Sequence, residues 1–151
     1  MNIDLDLLKK LRAETQAGIA DCRKALEEVN GDYQKAKEWL RKHGLERADK
    51  KKERKTPQGL IESYIHQNGK VGALVMVLCE TDFVARTDEF KRLSHELAMQ
   101  VAAMNPQDID SLLEQAYIRD GSKTIGDLLK EAVAKLGENI VLERFQRFGI
   151  E

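Results

Sequence analysis

The sequence is poor in the residues from which catalytic and metal centres are assembled. Its 151 residues include two cysteines and three histidines. Cys22 and Cys79 fall in different predicted elements, with no C-x-x-C spacing and no histidine pair nearby. That leaves no zinc or redox pattern, and both read as reduced, buried thiols. His43, His66 and His95 fall at a helix end, in a strand and in a helix, without a spacing common to metal ligands; surface or structural roles explain them more simply. Gly18, Gly31, Gly44 and Gly69 stand singly, so there is neither a phosphate loop nor a dinucleotide fingerprint. No apolar run is long enough to span a bilayer, and the start Met1-Asn2-Ile3-Asp4-Leu5-Asp6 is acidic where a signal peptide is basic. The expected location is cytoplasmic. A charged content of 34% with a net charge of -1 excludes a uniformly basic nucleic-acid binder. Asp88 and Glu89 open a helix whose dipole accounts for them. With no catalytic constellation, the expectation is a protein that makes and breaks no covalent bonds and carries no metal or cofactor.

What is present is a folding pattern, with 42% hydrophobic residues. From Asp4 to Glu14, Leu5, Leu8 and Leu11 recur at helical spacing. Ile19, Cys22, Ala25, Leu26 and Val29 do so again, up to the terminator Asn30-Gly31. Asp32 is placed to cap a third helix carrying Tyr33, Ala36 and Leu40, which is expected to end at Lys42-His43-Gly44. Three short helices over residues 1–45 make a bundle with little core. Residues 46–58 change abruptly to charge. Arg47, Lys50, Lys51, Lys52, Arg54 and Lys55 could attract RNA phosphates, but Glu46, Asp49 and Glu53 dilute them and no aromatic is interleaved for stacking. This segment reads as a solvated, partly helical linker.

Residues 59–151 form a second unit. Leu60 to His66 and Val71 to Cys79 flank Asn68-Gly69, a hairpin signal that predicts a type I′ turn. The second strand is apolar at nearly every position and should be covered on both faces, with helices on one and a second subunit as a candidate for the other. Phe90, Leu93, Leu97 and Val101 stripe a helix that ends before Asn105-Pro106. A short helical piece follows over Ile109 to Tyr117, then a turn at Asp120-Gly121. Thr124 is placed to cap a helix from Ile125 to Leu136 that Gly137 stops. Asn139 to Phe148 suggests a third strand of imperfect alternation. The order β-β-α-α-α-β gives an α+β fold with a small three-stranded antiparallel sheet packed by helices.

Between the second strand and its following helix stands Glu80-Thr81-Asp82-Phe83-Val84. A phenylalanine in so polar a connection admits two readings. In the ordinary one Phe83 folds back to close the core while Thr81 or Asp82 caps a helix. In the other it is a wedge held out for a partner's pocket, with the charge of Asp82 beside it. The pentapeptide alone does not decide.

Three stretches carry a family resemblance. Residues 11–26, Leu-Arg-Ala-Glu-Thr-Gln-Ala-Gly-Ile-Ala-Asp-Cys-Arg-Lys-Ala-Leu, resemble the N-terminal signature of the bacterial elongation factor Ts family. Residues 80–86, Glu-Thr-Asp-Phe-Val-Ala-Arg, resemble its second signature, and residues 137–145, Gly-Glu-Asn-Ile-Val-Leu-Glu-Arg-Phe, its closing strand. The resemblance implies a guanine-nucleotide exchange factor for elongation factor Tu. It implies a UBA-like N-terminal domain that contacts the partner through Ile19, Ala20 and Arg23. It further implies that Thr81, Asp82, Phe83 and Val84 act near the partner's Mg²⁺. Between Pro106 and the last strand there is no room for the second subdomain and coiled coil of longer members, so the chain is similar to the short ones. For these the expectation is a homodimer in a 2:2 complex. Two rivals remain: a UBA-type adaptor with an oligomerising core, and an RNA binder using the basic segment.

Overall fold

Local capping sets the N-terminal helices in the computed structural model of the chain, which describes residues 2–150. Helix α1 (Leu5–Thr15) starts at Asp4, whose carboxylate accepts the Asp6 N–H, and ends where Gln16 turns left-handed. Helix α2 (Ile19–Glu28) runs out at Asn30 and Gly31, both at positive φ. Asp32 accepts the Lys35 N–H to start α3 (Tyr33–Lys50). Leu8, Leu11, Cys22, Ala25, Leu26 and Ala36 pack into one buried cluster, flanked by Trp39 and Leu40.

Helix α3 does not stop at Lys42-His43-Gly44. It runs from Tyr33 to Lys50 and so takes in the start of the segment expected to be solvated. The reason is tertiary, because its far half packs on α7 (Ile125–Leu136). A Cβ at Gly44 would stand 3.1 Å from that of Ala134, so the glycine serves a close helix crossing and not a C-cap. Ala48 is buried in the main core. Arg41 pairs with Glu131 at 3.5 Å and Lys130 with Asp49 at 3.2 Å across the crossing. Arg47 reaches back to α2, donating to both carboxylate oxygens of Asp21 at 2.7 and 2.6 Å.

That fork holds the Asp21 carboxyl below the usual aspartate range, the hydrogen bond from Arg47 being the largest cause. A depressed folded-state pKa gives stabilisation that is present above the unfolded-state value and lost as pH falls through the lowered one. With Arg47 half-exposed, the contribution is no more than about 1 kcal/mol. Denaturation followed by circular dichroism should therefore find the Arg47→Met variant less stable by that order at neutral pH. The two proteins should converge as the medium is acidified through the usual aspartate range and on through the lowered value of Asp21.

The main sheet has strand order β1-β2-β5, antiparallel throughout, with β1 at Gln58–Ile65, β2 at Val71–Cys79 and β5 at Ile140–Gly149. The hairpin between β1 and β2 is not a type I′ turn. Of the Asn-Gly pair only Gly69 has positive φ, and the loop closes through Gly69 N–H to His66 O and His66 N–H to Val71 O. Gly59 lies so close over β2 that a Cβ there would meet the Val77 carbonyl oxygen at 2.1 Å. Ala73, Val75, Val77 and Cys79 point inward and are buried beneath α5 (Asp88–Met104), which contributes Phe90, Leu93, Leu97 and Val101.

The imperfect alternation of β5 is a bulge. Leu142 pairs with Val77 and Arg144 with Met76, leaving Glu143 as the extra residue. The phase flips there, so Phe145 joins Ile140 and Leu142 on the inner face, whereas Phe148 stays outside with Ile61, Ile65 and Leu74, all exposed. Only one of the two C-terminal phenylalanines is thus available to a second subunit. The remaining elements are α4 (Asp82–Ala85), α6 (Ile109–Glu114), β3 (Ala116–Tyr117) and β4 (Asp120–Thr124). The β3–β4 hairpin, expected as helix and turn, is held to α5 by the buried Gln100, which donates to Ala116 O and accepts from Ile118 N–H. The result is α+β, with seven helices among the described residues, none of them long and apolar enough to cross a membrane.

Candidate functional site

Beyond Cys79 the chain leaves the sheet and makes one helical turn, α4, before α5 begins. Thr81 caps that turn by accepting the Val84 N–H at 3.3 Å. The hydroxyl of Thr87 donates to Val84 O at 2.7 Å and accepts the Phe90 N–H at 3.2 Å, joining the end of α4 to the start of α5. In so short a turn the side chains of residues 82 and 83 leave on the solvent side while Ala85 goes in. Phe83 is 77% exposed, against 0% for Phe90 one element later. It does not fold back to close the core.

The charge beside the ring is already engaged. Asp82 is ion-paired with Arg86 one turn on, both groups being at the surface, and the Arg86 guanidinium lies 5.9 Å from the centroid of the Phe83 ring. The tip is therefore an exposed aromatic flanked by a carboxylate–guanidinium pair, not a lone anion.

Glu138 anchors this corner. One of its carboxylate oxygens accepts the Glu80 and Thr81 N–H groups at 3.1 and 2.9 Å, and the other accepts the Thr81 hydroxyl at 2.7 Å. In return Glu80 accepts the Asn139 N–H at 2.8 Å, with Arg54 at 3.5 Å on the same oxygen. The buried side chain of Asn139 donates to the carbonyls of Lys52 and Arg54 at 3.3 and 2.8 Å. Beneath, the Cys79 thiol donates to Thr81 O at 3.2 Å. Burial first, and the nearby Glu138 charge second, raise the pKa of that thiol and keep it a donor.

Thr81, Asp82, Phe83 and Val84 are thus gathered in one strapped turn. Ile19, Ala20 and Arg23 lie on another element, the first turns of α2, and all three are exposed. Ile19 is 53% exposed, while Cys22, Ala25 and Leu26 turn inward to the bundle core. The histidines are dispersed. His43 stacks on Trp39, whereas His66 and His95 both lie against Tyr64.

A family model described as Elongation factor TS matches residues 80–151, the half of the chain that carries this corner. Elongation factor Ts of Coprothermobacter proteolyticus is 46% identical over 193 residues, covering 98% of this chain and 98% of that protein. Elongation factor Ts of Thermotoga maritima is 44% identical, covering 99% and 97%. That of Oleidesulfovibrio alaskensis is 42% identical over 187 residues, covering 94% of each.

The chain belongs to the elongation factor Ts family. It is a translation elongation factor on that ground. The alignments with these elongation factors Ts are longer than the 151 residues present here, so the relatives carry segments without a counterpart in this chain. Three residues at the corner have roles that the sequence motifs do not assign: Arg86, Glu138 and Asn139. Arg86 was legible in principle, as the i+4 partner of Asp82 on a helix. Glu138 and Asn139 were not, because their contacts span some fifty-seven or more residues of chain.

Proposed function

We propose that the protein is a guanine-nucleotide exchange factor for elongation factor Tu, and that Thr81, Asp82, Phe83 and Val84 form the wedge that promotes GDP release. The observation that carries this reading is the exposure of Phe83 on a turn strapped from several sides. A large apolar ring held in water, on a turn tied down by Thr81, Thr87 and Glu138, has its binding cost largely met before the partner arrives. Bound GDP is held through its phosphates by Mg²⁺, a lysine and backbone amides, so a ring entering beside the metal loosens much of that hold. A single carboxylate is a weak Mg²⁺ ligand. Asp82 acts instead by exchanging its Arg86 partner for groups on the other protein. The coupling is reciprocal: if this factor weakens GDP binding, nucleotide weakens its binding by the same factor, and incoming nucleotide releases it. No covalent bond changes.

Residues 1–45 serve in this reading as a UBA-like contact domain presenting Ile19, Ala20 and Arg23, residues 46–58 as the connection, and residues 59–151 as the core, all in the cytoplasm. The test is stopped-flow release of a fluorescent GDP from elongation factor Tu with and without the protein. Acceleration at substoichiometric concentration supports the reading; an unchanged rate sinks it. A UBA-type adaptor that uses the exposed Ile19 alone would bind a partner without touching this rate.

The outer face of the sheet supports a homodimer, and with it a 2:2 complex. Ile61, Ile65, Leu74 and Phe148 stand uncovered on adjacent strands, an apolar surface of the kind that self-complementary subunits bury. Light scattering at micromolar concentration should give twice the chain mass, and Leu74→Lys should reduce it to one. A monomer mass for the unaltered protein would remove the dimer.

A further inference from the structure

Resting on the wedge reading above, we infer that Glu138 and Asn139 are positioning residues for exchange: together they form a reciprocal clamp that sets the direction in which Phe83 is presented. Four segments meet at this corner. The end of β2 and the cap of α4 are held by the Glu138 carboxylate through the Glu80 N–H, the Thr81 N–H and the Thr81 hydroxyl. The start of β5 is held in return by Glu80 through the Asn139 N–H. The segment arriving from α3 is held by the Asn139 amide, which takes the carbonyls of Lys52 and Arg54. Every one of these bonds lies within four residues of Phe83 or on a group that holds such a residue.

The geometry has a direction as well as a strength. The Thr81 hydroxyl has one proton, and that proton goes to Glu138 at 2.7 Å. Its lone pairs are thereby turned toward the Val84 N–H, the bond that caps α4. Glu138 thus fixes the rotor that starts the turn on which Phe83 sits. Remove the acceptor and the hydroxyl is free to rotate, two backbone N–H groups lose their partner, and the single turn of α4 is too short to hold itself. The packing beneath depends on other residues, chiefly Ala85 and Phe90, and is left in place. The clamp therefore governs aim more than fold.

The experiment combines Glu138→Met, which keeps the side-chain length and loses the acceptors, with Glu138→Gln, which keeps an acceptor for the N–H groups. In the free protein, amide exchange by mass spectrometry should accelerate over residues 80–87 in Glu138→Met while β2 and α5 remain protected. With GDP-loaded elongation factor Tu, the maximal release rate at saturating factor should fall as it does in Phe83→Ala, with the half-saturating concentration little changed, and Glu138→Gln should recover most of it. The Glu138→Met/Phe83→Ala double variant should lie within about twofold of Phe83→Ala alone, because both act through one ring. Multiplying effects, unaltered exchange over 80–87, or lost protection with normal release would each overturn the clamp while leaving the wedge standing. A Phe83→Ala variant that releases GDP at the normal rate would instead overturn the wedge, and the clamp with it.

Discussion

Replacing Phe83 with alanine should slow factor-driven GDP release from elongation factor Tu by about ten- to a hundredfold, with no loss of folding stability. The size follows from the ring. Burying a phenylalanine in a partner is worth roughly 1.5 to 3 kcal/mol, and each 1.36 kcal/mol withheld from the transition state is tenfold in rate. The stability half follows from exposure. A side chain that is 77% exposed has little folded-state packing to lose, and its contact with Arg86 is worth no more than about 1 kcal/mol at such a surface site. Melting temperature and release rate, measured on one preparation, should part company. A variant that melts early would mean that the ring packs in solution, and a variant that releases GDP normally would mean that the wedge is elsewhere.

Phe90, seven residues on, should behave in the opposite way. Among the described residues it is the largest fully buried side chain, at the start of α5 beneath the sheet. Phe90→Ala leaves a cavity where sheet, α4 and α5 meet and should cost roughly 3 to 5 kcal/mol. That is a large part of the 5 to 15 kcal/mol typical of a domain, and should appear as a fall of about 10 °C or more in melting temperature. The folded fraction should still accelerate GDP release, because the ring it lacks never meets the partner. A Phe90→Ala protein of unchanged stability would contradict the packing described for α5.

How much of this was legible in the sequence depends on how local each cause is. Helix α7 was legible to the residue: Thr124 and Asp127 form a capping box at its start and Gly137 is left-handed at its end, so both boundaries are written within four residues of themselves. Gly44 carries the same letter as Gly137 and the opposite meaning. Its use lies in a neighbour ninety residues away, Ala134, which no window along the chain contains. The β5 bulge at Glu143 looks like weak alternation until the partner strand is known, and then it decides which phenylalanine is core. The direction of Phe83 was undecided for a different reason. An inward and an outward ring are both compatible with a Thr81 cap, and the sequence around residue 83 does not distinguish them. Family likeness implied a role for the motif, but pointed to none of the long-range contacts of Glu138 and Asn139.

The unbroken course of α3 from the bundle onto α7 makes the bundle and the main core two marks on one ruler. Along a helix each added residue advances the chain about 1.5 Å and turns it about 100°. A single insertion between Ala36, buried in the bundle, and Ala48, buried in the main core, would turn one cluster against the other and strain the Gly44–Ala134 crossing and the Arg47–Asp21 fork. What is counted along this helix is therefore not residues but angle.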